Sequence, residues 1–202
     1  VEAAYELGIP TVWSIHESYD PRRYFDMIIP DPDVREAAKS SLVHANRLVF
    51  VSRAIRDLFR EYDCFGVSDC IYNGIDSETV DRYLKRDKDS LKSALNLPQG
   101  KKIISVIGTI TERKGQLDLV DAALALLATR DDILVLIIGD FERDAGTRHY
   151  HAQIEERRGT ESRIQIIANP PDVYPYFRVT DIFVCTSRIE SFALVVQEAM
   201  AF

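Results

Sequence analysis

Short apolar runs and helix-patterned stretches take turns along nearly the whole chain, and this alternation restricts the fold more than any other feature of the sequence. Ile9-Pro10-Thr11-Val12-Trp13-Ser14-Ile15, Arg47-Leu48-Val49-Phe50-Val51 and Cys70-Ile71-Tyr72 read as strands, as do residues 102–107, 133–138, 164–167 and 182–185. Helical patterning covers residues 34–45, 53–62, 115–128, 150–157 and 173–178, and a terminal helix is expected from about Phe192. Strand–helix–strand alternation of this kind builds parallel βαβ units, so the expected class is α/β. The chain opens in mid-pattern, with Val1 to Leu7 reading as a helix tail capped by Gly8, so the sequence is expected to be a fragment.

From Ser77 to Gly100 the sequence becomes charged and helical and closes on Pro98-Gln99-Gly100. That shift reads as an interdomain connection, residues 77–100, between lobes at 1–76 and 101–202. With 46% apolar and 28% charged residues in 202, collagen, coiled coil and wholesale disorder are excluded. A net charge of −7 offers no general attraction for nucleic acid or an anionic membrane. Cys64, Cys70 and Cys185 lack C-x-x-C spacing and read as buried free thiols of a reducing compartment, which points to a cytoplasmic protein, with the inner face of a membrane as a compatible location.

Ligands of parallel sheets gather beyond the carboxyl ends of the strands, and here those ends carry His16-Glu17, Ser52, Asn73-Gly74, Gly108-Thr109, Gly139-Asp140, Asn169 and Ser187. The loop Gly108-Thr109-Ile110-Thr111-Glu112-Arg113-Lys114-Gly115 joins a strand to a helix with flanking glycines and two adjacent cations. Glycines admit close backbone approach and Arg and Lys neutralise phosphate, so a phosphate is one expected guest; a solvated basic turn is the other reading. The loop is neither a Walker A sequence nor a GxGxxG fingerprint.

Glu190 and Glu198 bracket the start of the terminal helix. Were residues 190–198 all helical, the two carboxylates would be separated by about 12 Å of rise and could touch different parts of one extended ligand. The free amides of Phe192, Ala193 and Leu194 would form the first turn and receive an anion. Two glutamates on a helix are often only a solvated face, but Ile189, Phe192, Ala193, Leu194, Val195, Val196 and Met200 leave little of one.

Gly108…Lys114-Gly115, Leu134 to Gly139-Asp140, Thr180 to Ser187 and Glu190-Ser191-Phe192-Ala193-Leu194…Glu198-Ala199-Met200-Ala201 together resemble the donor domain of the retaining glycosyltransferases of family 4. Gly8-Ile9-Pro10, His16, residues 47–52 and Tyr72-Asn73-Gly74-Ile75-Asp76 resemble, in the same order, the later acceptor-domain strands and the approach to the hinge. The resemblance implies a GT-B architecture of two Rossmann-like lobes with parallel sheets, each incomplete here, which missing segments or another chain would complete. It implies transfer of a sugar, hexosyl in type, from a nucleoside-diphosphate sugar to a hydroxyl acceptor (glycan, lipid-linked or small molecule), in carbohydrate biosynthesis, with retention and without metal. No cofactor is implied, the donor being a co-substrate.

By the same resemblance, Lys114 would contact the diphosphate, aided by Arg113; Glu198 would hold the ribose hydroxyls and Glu190 the sugar hydroxyls. Amides from Ser191 to Leu194 would meet sugar and phosphate, residues Asn169 to Val173 would lie near the base, and His16 would sit close to the reacting sugar. Thr109 stands where the family commonly has Arg, and Ala193 where it has Gly.

Three rival readings remain at this point. Asp31-Pro32-Asp33 matches the D-x-D triplet of metal-dependent transferases, as cheaply as Asp87-Lys88-Asp89 does. A non-catalytic nucleotide-sugar-binding or partner-binding remnant and a GT-B epimerase or hydrolase share the same scaffold.

Overall fold

The computed structural model describes residues 1–62, 66–141 and 144–202. Cys64 lies outside them. The chain divides into two compact units, Val1–Gly74 with Glu190–Ala193, and Ile75–Ile189 with Leu194–Phe202.

The first unit contains α1 (Glu2–Glu6), β1 (Val12–Ile15), α2 (Pro21–Ile28), α3 (Pro32–Ser40), β2 (Arg47–Phe50), α4 (Arg53–Leu58) and β3 (Ser68–Cys70). Its strands form a parallel sheet in the order β1-β2-β3, with Val12 opposite Arg47 and Leu48 opposite Ser68. Alternate residues of β2, Leu48 and Phe50, point into a core with Ile15, Phe25, Leu42, Ile55 and Phe59. Helix α2 falls between the strand expected at 9–15 and the helix expected at 34–45, in a polar stretch with Pro21, Pro30 and Pro32 for which no element was expected. Pro21 and Pro32 occupy first helical positions, where a missing N–H costs nothing, behind the capping carboxylates of Asp20 and Asp31. Strand β3 ends two residues before the expected limit, although Ile71 N still donates to Phe50 O at 2.9 Å.

The second unit contains α5 (Ser77–Leu84), α6 (Lys88–Ala94), β4 (Lys102–Ile107), α7 (Gln116–Leu127), β5 (Ile133–Gly139), α8 (Ala145–Arg158), β6 (Ile164–Ala168), α9 (Tyr174–Val179), β7 (Ile182–Phe183) and α10 (Leu194–Ala201). Its parallel sheet runs β6-β5-β4-β7. The period-2 geometry of β4 and β5 divides their side chains between two cores. Ile104, Val106, Val135 and Ile137 meet α7 and α8 through Val120, Leu127 and Ile154. Ile103, Ile107, Leu134, Leu136 and Ile138 face Tyr83, Leu91, Tyr176 and Phe177. Helices therefore cover both faces, and the strands read as continuous apolar runs for that reason.

Residues 77–100, expected as a connection, form α5 and α6 and contribute Tyr83, Leu91 and Leu97 to this second core. Most of their charges are exposed, but Lys92 is buried, with its Nζ donating to Lys101 O at 3.2 Å. Helix α8 begins at Ala145, five residues earlier than expected, on a capping box between Asp144 and Thr147. Of the thiols expected to be buried, Cys70 is half-buried and Cys185 is exposed.

Candidate functional site

The carboxyl ends of β4 and β5 are drawn together by glycine. A Cβ on Gly139 would collide with the carbonyl of Gly108, so no other residue permits this approach. Gly108 N donates to Ile138 O at 2.9 Å and Ile110 N to Asp140 O at 2.8 Å, while the fully buried Ile110 side chain anchors the loop in the core. The chain then makes a 3-10 turn over Glu112–Lys114 and ends it at Gly115, with φ +67° and the Thr186 carbonyl in the space a Cβ would need. Both conditions demand glycine at the entrance to α7.

The loop is stitched to residues 186–189. Thr186 Oγ1 donates to Lys114 O at 2.7 Å, Arg188 N to Arg113 O at 2.9 Å, and Arg113 Nη1 to Ile189 O at 2.8 Å. Gln116, a fully buried polar side chain, donates from Nε2 to the Thr109 carbonyl at 3.0 Å. Sequence reasoning missed it, although a lone amide opening an apolar helix is the signal that could have pointed there. These contacts fix the backbone from which Lys114 turns back across Gly108, with Nζ 3.9 Å from where a Gly108 Cβ would stand. An ammonium group is thus held over bare backbone at the end of β4. Thr109 is half-buried, and its carbonyl is taken by Gln116.

Helix α10 starts at Leu194, so its first-turn amides begin there and not at Phe192; Phe192 and Ala193 precede it. Glu190 is likewise outside the helix and belongs to the first unit, whereas Glu198 belongs to the second. The arrangement of both carboxylates along one helix is therefore corrected. Glu198 is half-buried, and its Oε1 accepts from the Tyr174 hydroxyl at 3.2 Å. Burial pushes the Glu198 carboxyl above its usual range, partly opposed by that bond. Tyr174 is itself fixed: its N donates to Asp172 Oδ1 at 2.9 Å, and its ring stacks on Tyr83 with centroids 6.1 Å apart. The Tyr83 hydroxyl donates to the other Asp172 oxygen. Neither tyrosine was expected in the site, whereas Asp172 falls within residues 169–173, expected near the base.

Asn169 is exposed at φ +43°, and its Nδ2 donates to Asp140 Oδ1 at 3.4 Å. Val173 caps α9 and packs, half-buried, against the core. Asn169 thus lies at the mouth of the β5–β6 ends, and Val173 at the start of α9. In the first unit, His16 is exposed beyond β1 with Nε2 3.0 Å from Ser14 Oγ. Ser52 caps α4 by accepting from Ile55 N and donates to Ser191 O at 2.8 Å. Phe192 stacks on Tyr72 at 5.9 Å. Glu190, Ser191, Phe192 and Ala193 are all half-buried.

Both D-x-D triplets open helices. Asp31 Oδ1 accepts from Asp33 N and Val34 N, and Asp87 Oδ2 from Ser90 N, so each first carboxylate acts as an N-cap. Among the described residues no cluster of three or more His, Cys, Asp or Glu could hold a metal ion, and no helix is long and apolar enough to cross a membrane.

Residues 87–202 match the model of the family described as glycosyl transferases group 1. The chain belongs to that family. This group 1 chain is 31% identical over 135 residues to the lipopolysaccharide core biosynthesis mannosyltransferase LpsB of Rhizobium meliloti, covering 65% of the chain and 37% of the relative. It is 22% identical over 196 residues to the lipopolysaccharide 1,2-N-acetylglucosaminetransferase of Salmonella typhimurium, covering 94% of the chain and 46% of the relative. The chain therefore spans less than half the length of these curated relatives. Among solved structures, Anabaena Alr3699/HepE in complex with UDP and glucose superposes with a TM-score of 0.76 at 19% identity, over 98% of this chain and 52% of that one. An E. coli protein bound with UDP-2-fluoro glucose gives 0.75 at 17% identity, over 97% and 51%. The group 1 chain has the GT-B fold of these neighbours, with two Rossmann-like lobes.

Proposed function

We propose that this group 1 chain is the part of a retaining, metal-independent glycosyltransferase of family 4 that handles the donor, moving a hexosyl group from a nucleoside-diphosphate sugar to a hydroxyl acceptor. One observation carries the reading: the Lys114 ammonium lies over the bare backbone of Gly108 at the carboxyl end of β4. Charge grows on the diphosphate as the glycosidic bond breaks, and a preorganised cation stabilises it without reorganising at the moment of reaction. Arg113 has one nitrogen on the Ile189 carbonyl, so it supports the loop as well as adding charge. Glu198 receives the ribose hydroxyls, Asn169 and Val173 border the base, and the Leu194 amide faces phosphate. Glu190, the amides of Ser191 to Ala193, and His16 serve the sugar.

The UDP and UDP-glucose bound by HepE support a nucleotide-sugar donor. A trehalose-6-phosphate synthase described for glycosyl transfer with retention, superposing with a TM-score of 0.73, supports the stereochemistry. A cytoplasmic setting, at a membrane face when the acceptor is lipid-linked, completes the proposal, as does an assembly in which further segments or another chain take part.

Calorimetry with uridine, adenosine and guanosine diphosphates, followed by donor turnover with and without EDTA, tests the proposal. In the complete enzyme, binding plus turnover that survives EDTA is expected, whereas the 202 residues alone should show no measurable transfer. Binding by the complete protein without turnover identifies a non-catalytic remnant, turnover abolished by EDTA identifies metal dependence, and no binding at all overturns the reading.

A further inference from the structure

We propose that Tyr174 is a positioning residue for the donor: its hydroxyl holds one oxygen of Glu198 so that the carboxylate presents the other to the ribose diol. The inference rests on the reading of Glu198 as the ribose acceptor. A glutamate has three rotatable side-chain bonds, and a half-buried carboxylate without a partner gains most by swinging toward water. Here the swing is opposed by the bond from Tyr174 Oη to Oε1 at 3.2 Å.

Tyr174 can act in this way because its own freedom has been removed from several sides. Its backbone N–H is tied to Asp172 Oδ1 at 2.9 Å, and its ring lies nearly parallel to Tyr83, at 10° and 6.1 Å. Phe177 and Phe202 pack against the same ring at 6.2 and 6.1 Å. Asp172 closes the set by accepting the Tyr83 hydroxyl on its second oxygen. One carboxylate therefore clips a tyrosine from α5 to a tyrosine from α9, and the second tyrosine passes the alignment on to α10. Every member of this chain of contacts lies in the second unit. A carboxylate oriented before the ligand arrives loses less freedom on binding, which is where the gain in affinity arises.

The test uses the full chain, the nucleoside diphosphate it binds best, and the 2′,3′-dideoxy form of the same nucleotide, titrated by calorimetry into wild type, Y174F, E198Q and the double variant. Y174F keeps the ring and its stacking, so only the hydroxyl is lost. The expected result is about a five- to tenfold weaker affinity of Y174F for the ribonucleotide, less than the scale of a charge-assisted hydrogen bond made to the ligand itself, because Tyr174 acts only through Glu198. Its affinity for the dideoxy form should be unchanged, and the double variant should bind no more weakly than E198Q alone. Wild-type affinity in Y174F, or an equal loss for both nucleotides, overturns the positioning role while leaving Glu198 in place. An E198Q variant that binds the ribonucleotide like wild type overturns the ribose reading itself.

Discussion

Lys114 places its charge where the chain has cleared away side chains, and this makes its removal diagnostic. Lys114→Ala in the active enzyme is expected to lower turnover by about 10²-fold, because the departing diphosphate carries more charge than the bound donor. Steady-state kinetics check this, and an unchanged kcat would remove Lys114 from the site. Glu198→Gln should weaken donor binding about ten- to hundredfold, the scale of a charge-assisted hydrogen bond. Its effect on stability has the opposite sign. Burial raises the folded-state pKa of Glu198 above its unfolded value near about 4.3, so its contribution to stability is full below that value and is lost as pH rises through the folded pKa. The unliganded Gln variant should therefore melt no lower than wild type at pH 7, and should show no such advantage at pH 4; thermal scans at both pH values decide it. Lys114 and Glu198 were legible in the sequence as candidates, because charged residues amid glycines or apolar neighbours need a reason, while the roles proposed for them rest on the family resemblance. Tyr174 and Gln116 were not legible, and Asp172 only as part of the loop at 169–173, because their roles depend on partners brought near only by the fold: Tyr83 lies 89 residues from Asp172.

At the scale of elements, carboxylates at helix starts are this chain's recurrent device. Asp20, Asp31, Asp76, Asp87 and Asp144 all cap helices. Asp31→Ala should cost about 0.5–2 kcal/mol of stability and leave nucleotide affinity and the response to EDTA untouched. A chelator response that changed with Asp31 would revive the metal reading of its triplet. Gly115→Ala combines a left-handed backbone with a collision against the Thr186 carbonyl, so it should both destabilise the fold and loosen the turn that aims Lys114. Strands β4 and β5 could be read directly because burial on both faces leaves an uninterrupted apolar run. Helix α10 could be read only in part. Residues 190–193 carry helix-compatible side chains, yet they belong to the first unit, where Ser191 O accepts from Ser52 and Phe192 stacks on Tyr72. Contacts so distant in sequence override local propensity.

Over the whole molecule, the two units differ in how their sheets are covered. The second has packed cores on both faces of β4 and β5, whereas the described core of the first draws on alternate residues of β2. Amides of residues 103–107 and 134–138 should exchange hydrogen most slowly, and those of β1 and β3 measurably faster; exchange read by mass spectrometry on the full chain checks the order. The α/β class could be read from the alternation alone, whereas two lobes were expected from the charged stretch at residues 77–100 and from the family resemblance. The boundary could not, since a charged stretch looks like a linker whether it is solvated or presents one apolar face to a core, as α5 and α6 do. The stitching of residues 113–114 to 186–189 bears on how such enzymes can be re-engineered. Thr186 and Arg188 bond to the backbone carbonyls of Lys114 and Arg113, and the Arg113 side chain answers onto Ile189. The two loops form a matched pair, so, on the donor role proposed for Lys114, a graft from a relative should keep that lysine aimed only when both loops are exchanged together.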